Sequence, residues 1–408
     1  MQPFPAYFCS LLQSLGRRPS SGRYRPELDG LRCMAILIVM IWHASLKIMR
    51  FTATSGITES VDNPKVAWIP DGAVGVALFF FLSGMVICRP FLSGTYHTTK
   101  RSLQDFYRSR LIRIVPPYAL VLLSCYLVIG VLGHTPERAS TFEVKQISPA
   151  ASLGASLFYL HGLIFSSPPR LSPPGWSLEI EMQFYLIAPA LIVAYLALRH
   201  RMSRLLLGIA VIIGSVVLRL WLVETYGEYG RFRWTLLNYF PVFMLGIVVA
   251  DLTRAEEVRP SHETLPDMLC LGSVLLLLLP GIFRHPVGWT ERLAADAATL
   301  AALVGLYYGV TRGRIANRLF SLRALTIIGT ACYSIYLTHV PLMHFVGQLF
   351  FKLVQVGDYP SAWSLGLLLL LPLSLIFGMI FHILVERPFV QLAANRPVPE
   401  IRGIAIRS

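Results

Sequence analysis

The chain has 408 residues, of which 55% are hydrophobic and only 14% charged, and its mean hydropathy is +0.60. Soluble domains carry about 25% charged residues, so this composition excludes an ordinary soluble fold and indicates a polytopic membrane protein. The net charge of +14 comes from 36 lysines and arginines grouped in short connections, where such charges set membrane orientation, and no nucleic-acid partner is expected.

Apolar runs long enough to cross a bilayer lie near 31–50, 71–90, 113–133, 178–198, 205–223, 235–252, 267–283, 293–310, 324–350 and 363–385. The expected fold class is all-α, a transmembrane helical bundle of about ten spans. Residues 24–390 would form one membrane-embedded domain, between an N-terminal tail at 1–23 and a C-terminal tail at 391–408. The start of the chain lacks a charged segment followed by an apolar core and a cleavage site, so the first span itself is expected to direct insertion. The six cysteines form no CxxC pair and read as small apolar residues.

The first run, RCMAILIVMIWH, places Arg32 and His43 eleven residues apart. That is about three helical turns and ~16 Å of rise, so both fall on one face. A cation and a titratable imidazole are costly inside an apolar span and raise the odds of a functional site. The alternative is a topology-setting arginine and a packed histidine. The second run, GVALFFFLSG, offers Gly75, Ser83 and Gly84 for close helix approach, and Ser83 lacks the context of a serine nucleophile. Arg110 and Arg113, in FYRSRLIRIVPPY, share a face at the start of the third span, where guanidinium forks suit phosphate oxygens. They would serve equally as orienting charges.

The stretch 151–166 is apolar but short, and 168–175 is rich in proline. If it does not cross, the basic clusters at 17–32, 100–113, 199–204, 254–259, 312–323 and 387–407 all fall on one side. The region 134–177 is therefore expected to be an external or re-entrant segment, with both termini cytoplasmic. In GWSLEIEMQFYL, Glu181 lies one turn from Ser177 and from Tyr185, and counting ~27 Å from Arg199 places it near the outer face. Glu179 points elsewhere. Tyr336 and His339 share a face of the ninth span, and His344 follows nearer the surface. Two histidines and a carboxylate at similar depth are expected to converge on one pocket, though each is also an ordinary packing residue. No HExxH, phosphate-loop or dinucleotide fingerprint is present, so no metal is expected.

ELDGLRCMAILIVMIWH, GVALFFFLSG, RLIRIVPPY, GWSLEIEMQFYL and YSIYLTH, in this order, resemble the successive elements of acyltransferase family 3, over roughly residues 24–390. The resemblance implies transfer of an acyl group, most often acetyl, from cytoplasmic acyl-CoA to a hydroxyl, in a bacterial inner-membrane protein. By that analogy His43 is the catalytic base, Arg32 its basic partner and Glu181 the family's glutamate, while Arg110 and Arg113 form an RxxR element near the donor. Tyr185, Tyr336 and His339 are expected to bind substrate. Many members carry a second acidic residue where this chain has Met182, so no paired-carboxylate role is carried over. Nor is help from the soluble esterase-like domain of some relatives. The expected acceptor is an envelope or lipid-linked glycan, and the expected partners are membrane lipids, acyl-CoA and that sugar. A macrolide-like small molecule is the alternative acceptor. A proton-coupled transporter is the alternative of another class, since intramembrane His, Glu and Tyr also serve proton relays, but the paired halves of many transporters are absent.

Overall fold

The computed structural model describes residues 24–53, 69–94, 100–134, 147–227, 230–253, 264–278, 288–354 and 356–394. The expected tail at 1–23 and most of that at 391–408 lie outside the described residues, although the last helix continues to Ala394. Among the described residues the regular structure is helical throughout. In chain order the helices are α1 (Pro26–Ala53), α2 (Gly72–Leu92), α3 (Lys100–Tyr126), α4 (Pro149–Leu157), α5 (His161–Phe165), α6 (Gly175–Leu196), α7 (Arg201–Tyr226) and α8 (Leu236–Leu252). They continue with α9 (Leu265–Leu278), α10 (Trp289–Arg312), α11 (Arg314–Phe320), α12 (Arg323–Thr330), α13 (Cys332–Leu353), α14 (Tyr359–Phe381) and α15 (Arg387–Ala394).

Among the described residues, eight helical segments are long and apolar enough to cross a membrane, and a ninth crossing arises if the pair α12 and α13, bent by 73°, counts as one broken span. The remaining expected run, 267–283, is helical as α9 up to Leu278, and its last five residues lie outside the described residues. Helix α4 has nine residues, ~14 Å, and α5 has five, against a hydrocarbon core of about 30 Å, so neither helix described between 147 and 174 is long enough to cross. The protein is thus a polytopic transmembrane bundle. Asp71 caps α2 through the Ala73 amide at 2.8 Å, and Asp358 caps α14 through that of Ser361 at 2.8 Å. Prolines 90, 116, 117, 189, 241, 341 and 372 sit within helices, as they do in bundles where neighbours re-satisfy freed carbonyls.

The bundle is built inside out. The best window of α2 is 72% buried and that of α7 only 28%, so α2 is an interior helix and α7 a lipid-facing one. Leu206, Ile213, Val217 and Trp221 on α7 stand exposed at helical spacing, as a lipid-facing stripe should. Helix α1 is enclosed by α2, α12, α13 and α14. Close approach is written in glycine. A methyl on Gly84 would collide with the Phe243 carbonyl of α8, and one on Gly246 of α8 would collide with the Phe81 carbonyl of α2. Without strong apolar attraction between helices in lipid, such small-residue contacts let backbones touch and gain dispersion energy.

Candidate active site

Helices α1 and α13 each bring one histidine to a shared point in the bundle. His43 Nδ1 lies 2.9 Å from His339 Nε2, with ring centroids 5.1 Å apart. The other nitrogen of His339, Nδ1, faces the carbonyls of Tyr336 at 2.7 Å and Ile335 at 3.2 Å. A carbonyl only accepts, so the proton of neutral His339 belongs on Nδ1 and its Nε2 presents a lone pair. His43 must then donate from Nδ1, which leaves its own Nε2 unprotonated. That nitrogen has no hydrogen-bond partner among the described residues. His339 is fully buried and His43 half-buried, so the inner ring is fixed and the outer one is reachable.

The bend between α12 and α13 starts the latter helix at Cys332 and brings one turn of it, Tyr336 to His339, beside α1. The rings of these two residues lie 5.7 Å apart. The Tyr336 hydroxyl donates to the Pro174 carbonyl at 2.6 Å and meets Ser177 Oγ at 2.7 Å. It is therefore engaged in holding the start of α6 and is not an open donor.

Glu181 belongs to a neighbouring cluster. Its Oε1 accepts from Ser83 Oγ and from Tyr185 Oη, the latter at 2.5 Å, while Oε2 has no partner among the described residues. Ser83 is the twelfth of 21 residues in α2, so Glu181 stands at mid-height of that helix and not near the outer face as counted from sequence. The reason is local: the start of α6 is buried inside the bundle, with Gly175 against the Tyr118 hydroxyl and Glu179 accepting from the Gly162 amide of α5. The two histidines and the carboxylate therefore do not close into one hydrogen-bonded set. Glu181 joins Ser83 and Tyr185, and the histidines join each other.

The arginines are anchored separately. The Arg110 guanidinium carbon sits 3.9 Å from the Phe106 ring centre and 5.6 Å from that of Tyr185, which brings it towards the Glu181 cluster. Arg113 pairs with Glu386 at 3.4 Å. Glu386 in turn accepts from Ser334 at 2.7 Å and meets His382 at 2.8 Å. Arg32 is bound to Asp29, which also accepts from Tyr24 at 3.1 Å. Eleven residues from His43 on the same helix, Arg32 belongs to the far end of α1.

Sequence reasoning missed Ser83, Asp29 and Glu386 as partners. A serine in mid-span and a glutamate closing FHILVERPF are both polar intrusions into apolar runs, which is the signal that could have flagged them. Glu179 does point away, towards the Gly162 amide at 2.9 Å. His344 meets His134 at 3.2 Å, apart from the central pair.

The family described as an acyltransferase domain matches residues 25–383. The O-acetyltransferase OatA of Staphylococcus aureus, in strains NCTC 8325 and COL, is 25% identical over 337 residues, covering 80% of this chain and 52% of the relative. Protein SAS0844 of strain MSSA476 is 24% identical over 383 residues, covering 90% of this chain and 57% of its own length. The chain thus spans about half the length of the curated relatives it matches. No solved structure matches it. The similarity covers α1 through α14, including both histidines, Glu181 and the arginine pair, and the chain belongs to the acyltransferase 3 family.

Proposed function

We propose that this chain is an integral-membrane O-acyltransferase that moves an acetyl group from cytoplasmic acetyl-CoA to a hydroxyl of an envelope or secreted glycan. The observation that carries the reading is the His43–His339 pair, which leaves His43 Nε2 with an unused lone pair in mid-span. The basic connections favour an orientation with both termini cytoplasmic, in the bacterial inner membrane, so Arg32, Arg110 and Arg113 approach the site from the donor's side.

In this mechanism the acceptor hydroxyl gives its proton to His43 Nε2 as its oxygen attacks the thioester carbonyl. The new C–O bond forms, the C–S bond breaks, and the departing thiolate takes the proton back from Nε2. General base catalysis of this kind contributes about 10²–10⁴-fold. His339 holds the Nδ1 proton of His43 and so keeps Nε2 free. It is a positioning residue. Glu181, with Oε2 open and Oε1 fixed by Ser83 and Tyr185, is suited to orient the acceptor hydroxyl. Arg110 and Arg113 face the donor by this reading, Arg113 with its charge partly answered by Glu386.

The test is acetyl-CoA turnover by the purified full chain, together with mass spectrometry of envelope glycans from a deletion strain carrying wild type or His43→Ala at matched membrane levels. Wild type restores an ester of 42 mass units, roughly one acetyl, and His43→Ala does not. Restoration by both would remove His43 from the chemistry.

A further inference from the structure

At the end of the bundle opposite the re-entrant segment, two guanidinium groups meet on one phenol. Arg25 Nη1 and Arg89 Nη2 reach the Tyr307 hydroxyl at 3.3 and 3.1 Å. Arg25 precedes α1, Arg89 closes α2 and Tyr307 lies near the end of α10, so three elements converge. Thr253 Oγ1, just past α8, lies 3.5 Å from the same hydroxyl. Tyr307 is almost fully buried.

The charges of this cluster do not balance. Its one carboxylate, Glu27, is bound to Arg25 Nε at 2.6 Å. Arg89 reaches the Tyr307 hydroxyl and, at 3.4 Å, Met85 Sδ, both neutral, and no carboxylate partners it among the described residues. Arg32, Arg113, Arg204 and Arg219 each face an acid: Asp29, Glu386, Asp251 and Asp296. A second observation is independent of that count. Arg25 Nη2 is buried without any hydrogen-bond partner, which is costly for a charged donor. Two cations, one carboxylate, an orphaned guanidinium nitrogen and a phenol already accepting twice make a set of donors that lacks an acceptor.

We propose that Arg25, Arg89 and Tyr307 form a binding site for a phosphate ester at the cytoplasmic face. Guanidinium forks bind phosphate oxygens in two-pronged fashion, and the Tyr307 hydroxyl adds a third donor once an anion replaces it as the arginines' acceptor. The phosphate comes from the nucleotide part of the acyl-CoA donor or from an anionic lipid headgroup of the inner leaflet. The donor form rests on the function proposed above. Arg89 is six residues, ~9 Å of helical rise, from Ser83, the residue that holds Glu181, so a donor anchored here stays within the depth of the site.

The experiment measures binding to the purified full chain of three probes: acetyl-CoA, its 3′-dephospho analogue, and S-acetylpantetheine, which has no phosphate. Retention of phosphatidylglycerol against phosphatidylcholine is read in parallel by native mass spectrometry. Arg89→Ala weakens acetyl-CoA binding about 10–100-fold and leaves S-acetylpantetheine unchanged, while Arg89→Lys recovers part of the loss. If the 3′-dephospho analogue binds the variant and wild type alike, the 3′-phosphate is the group held. Unchanged acetyl-CoA binding with lost phosphatidylglycerol retention assigns the site to the lipid headgroup. Unchanged binding of both phosphate probes, or equal weakening of S-acetylpantetheine, overturns the site. If wild type binds no acetyl-CoA, the proposed function falls, and phosphatidylglycerol retention by wild type and Arg89→Ala decides the site by itself.

Discussion

Replacing His339 with alanine tests the proposal that His43 does the chemistry and His339 holds it in place. In wild type the carbonyls of Ile335 and Tyr336 fix the His339 proton on Nδ1, and its Nε2 accepts from His43 at 2.9 Å. Alanine leaves the His43 Nδ1–H facing an apolar void. An unmet buried donor costs about 1–3 kcal/mol, which the ring escapes by turning or by moving its proton to Nε2. Either response withdraws the lone pair that, by the proposed mechanism, takes the acceptor's proton. At about 1.4 kcal/mol per tenfold, kcat falls about 5–100-fold, with KM for the donor little changed. His43→Ala removes the base itself and costs about 10²–10⁴. The assay is thiol release from acetyl-CoA by the purified full chain, for wild type, each single variant, His339→Gln and the double alanine variant, with thermal melting to confirm folding. Glutamine keeps a carbonyl acceptor and recovers part of the rate. The double variant is no slower than His43→Ala, because the two residues act as a unit. Wild-type turnover by His339→Ala, or a double variant slower by the full product of the single losses, refutes the relay.

Three further outcomes follow from packing and capping. Gly84→Ala, whose methyl would strike the Phe243 carbonyl, destabilises the bundle by about 1–3 kcal/mol and broadens its gel-filtration profile. Gly214→Ala on α7, with nothing within 4 Å, is tolerated in the same assay and gains up to about 1 kcal/mol of helix propensity. The Asp358 carboxyl, outside the spans, is held below its ordinary value of 3.8 by the Ser361 backbone amide and hydroxyl. A lowered carboxylate contributes stability above its unfolded value and loses it as pH falls through the folded one. The melting advantage of wild type over Asp358→Ala is therefore full at neutral pH and is lost as the pH falls below the ordinary carboxylate value of 3.8.

Apolar length and basic loops made most of the bundle legible, because a span must be long and its backbone must be satisfied internally. The expectation that 134–177 does not cross came from charge bookkeeping over loops; of that region, the described helix α4 has only nine residues, and residues 135–146 lie outside the described residues. The break at Ala331 was not legible, since the run 324–350 reads as one apolar stretch. For the site, depth was readable and contact was not. His43 and His339 were placed at compatible heights, and they touch. Glu181 was placed too far out, because counting from Arg199 assumes that α6 starts at the membrane surface, whereas its start is buried inside the bundle. Arg113 and Glu386 are 273 residues apart in the chain, and a pairing at that separation leaves no trace in local spacing.

Helix α8 carries none of the site's side chains, yet the seam at Gly84 and Gly246 lets it govern them. Ser83 directly precedes Gly84, so the height at which α2 rests on α8 is also the height at which the Glu181 carboxylate is gripped. A backbone-to-backbone stop has no side-chain cushion to absorb an error. Displacement of α8 is therefore transmitted to Ser83 almost undiminished, and through it to the grip on the Glu181 carboxylate.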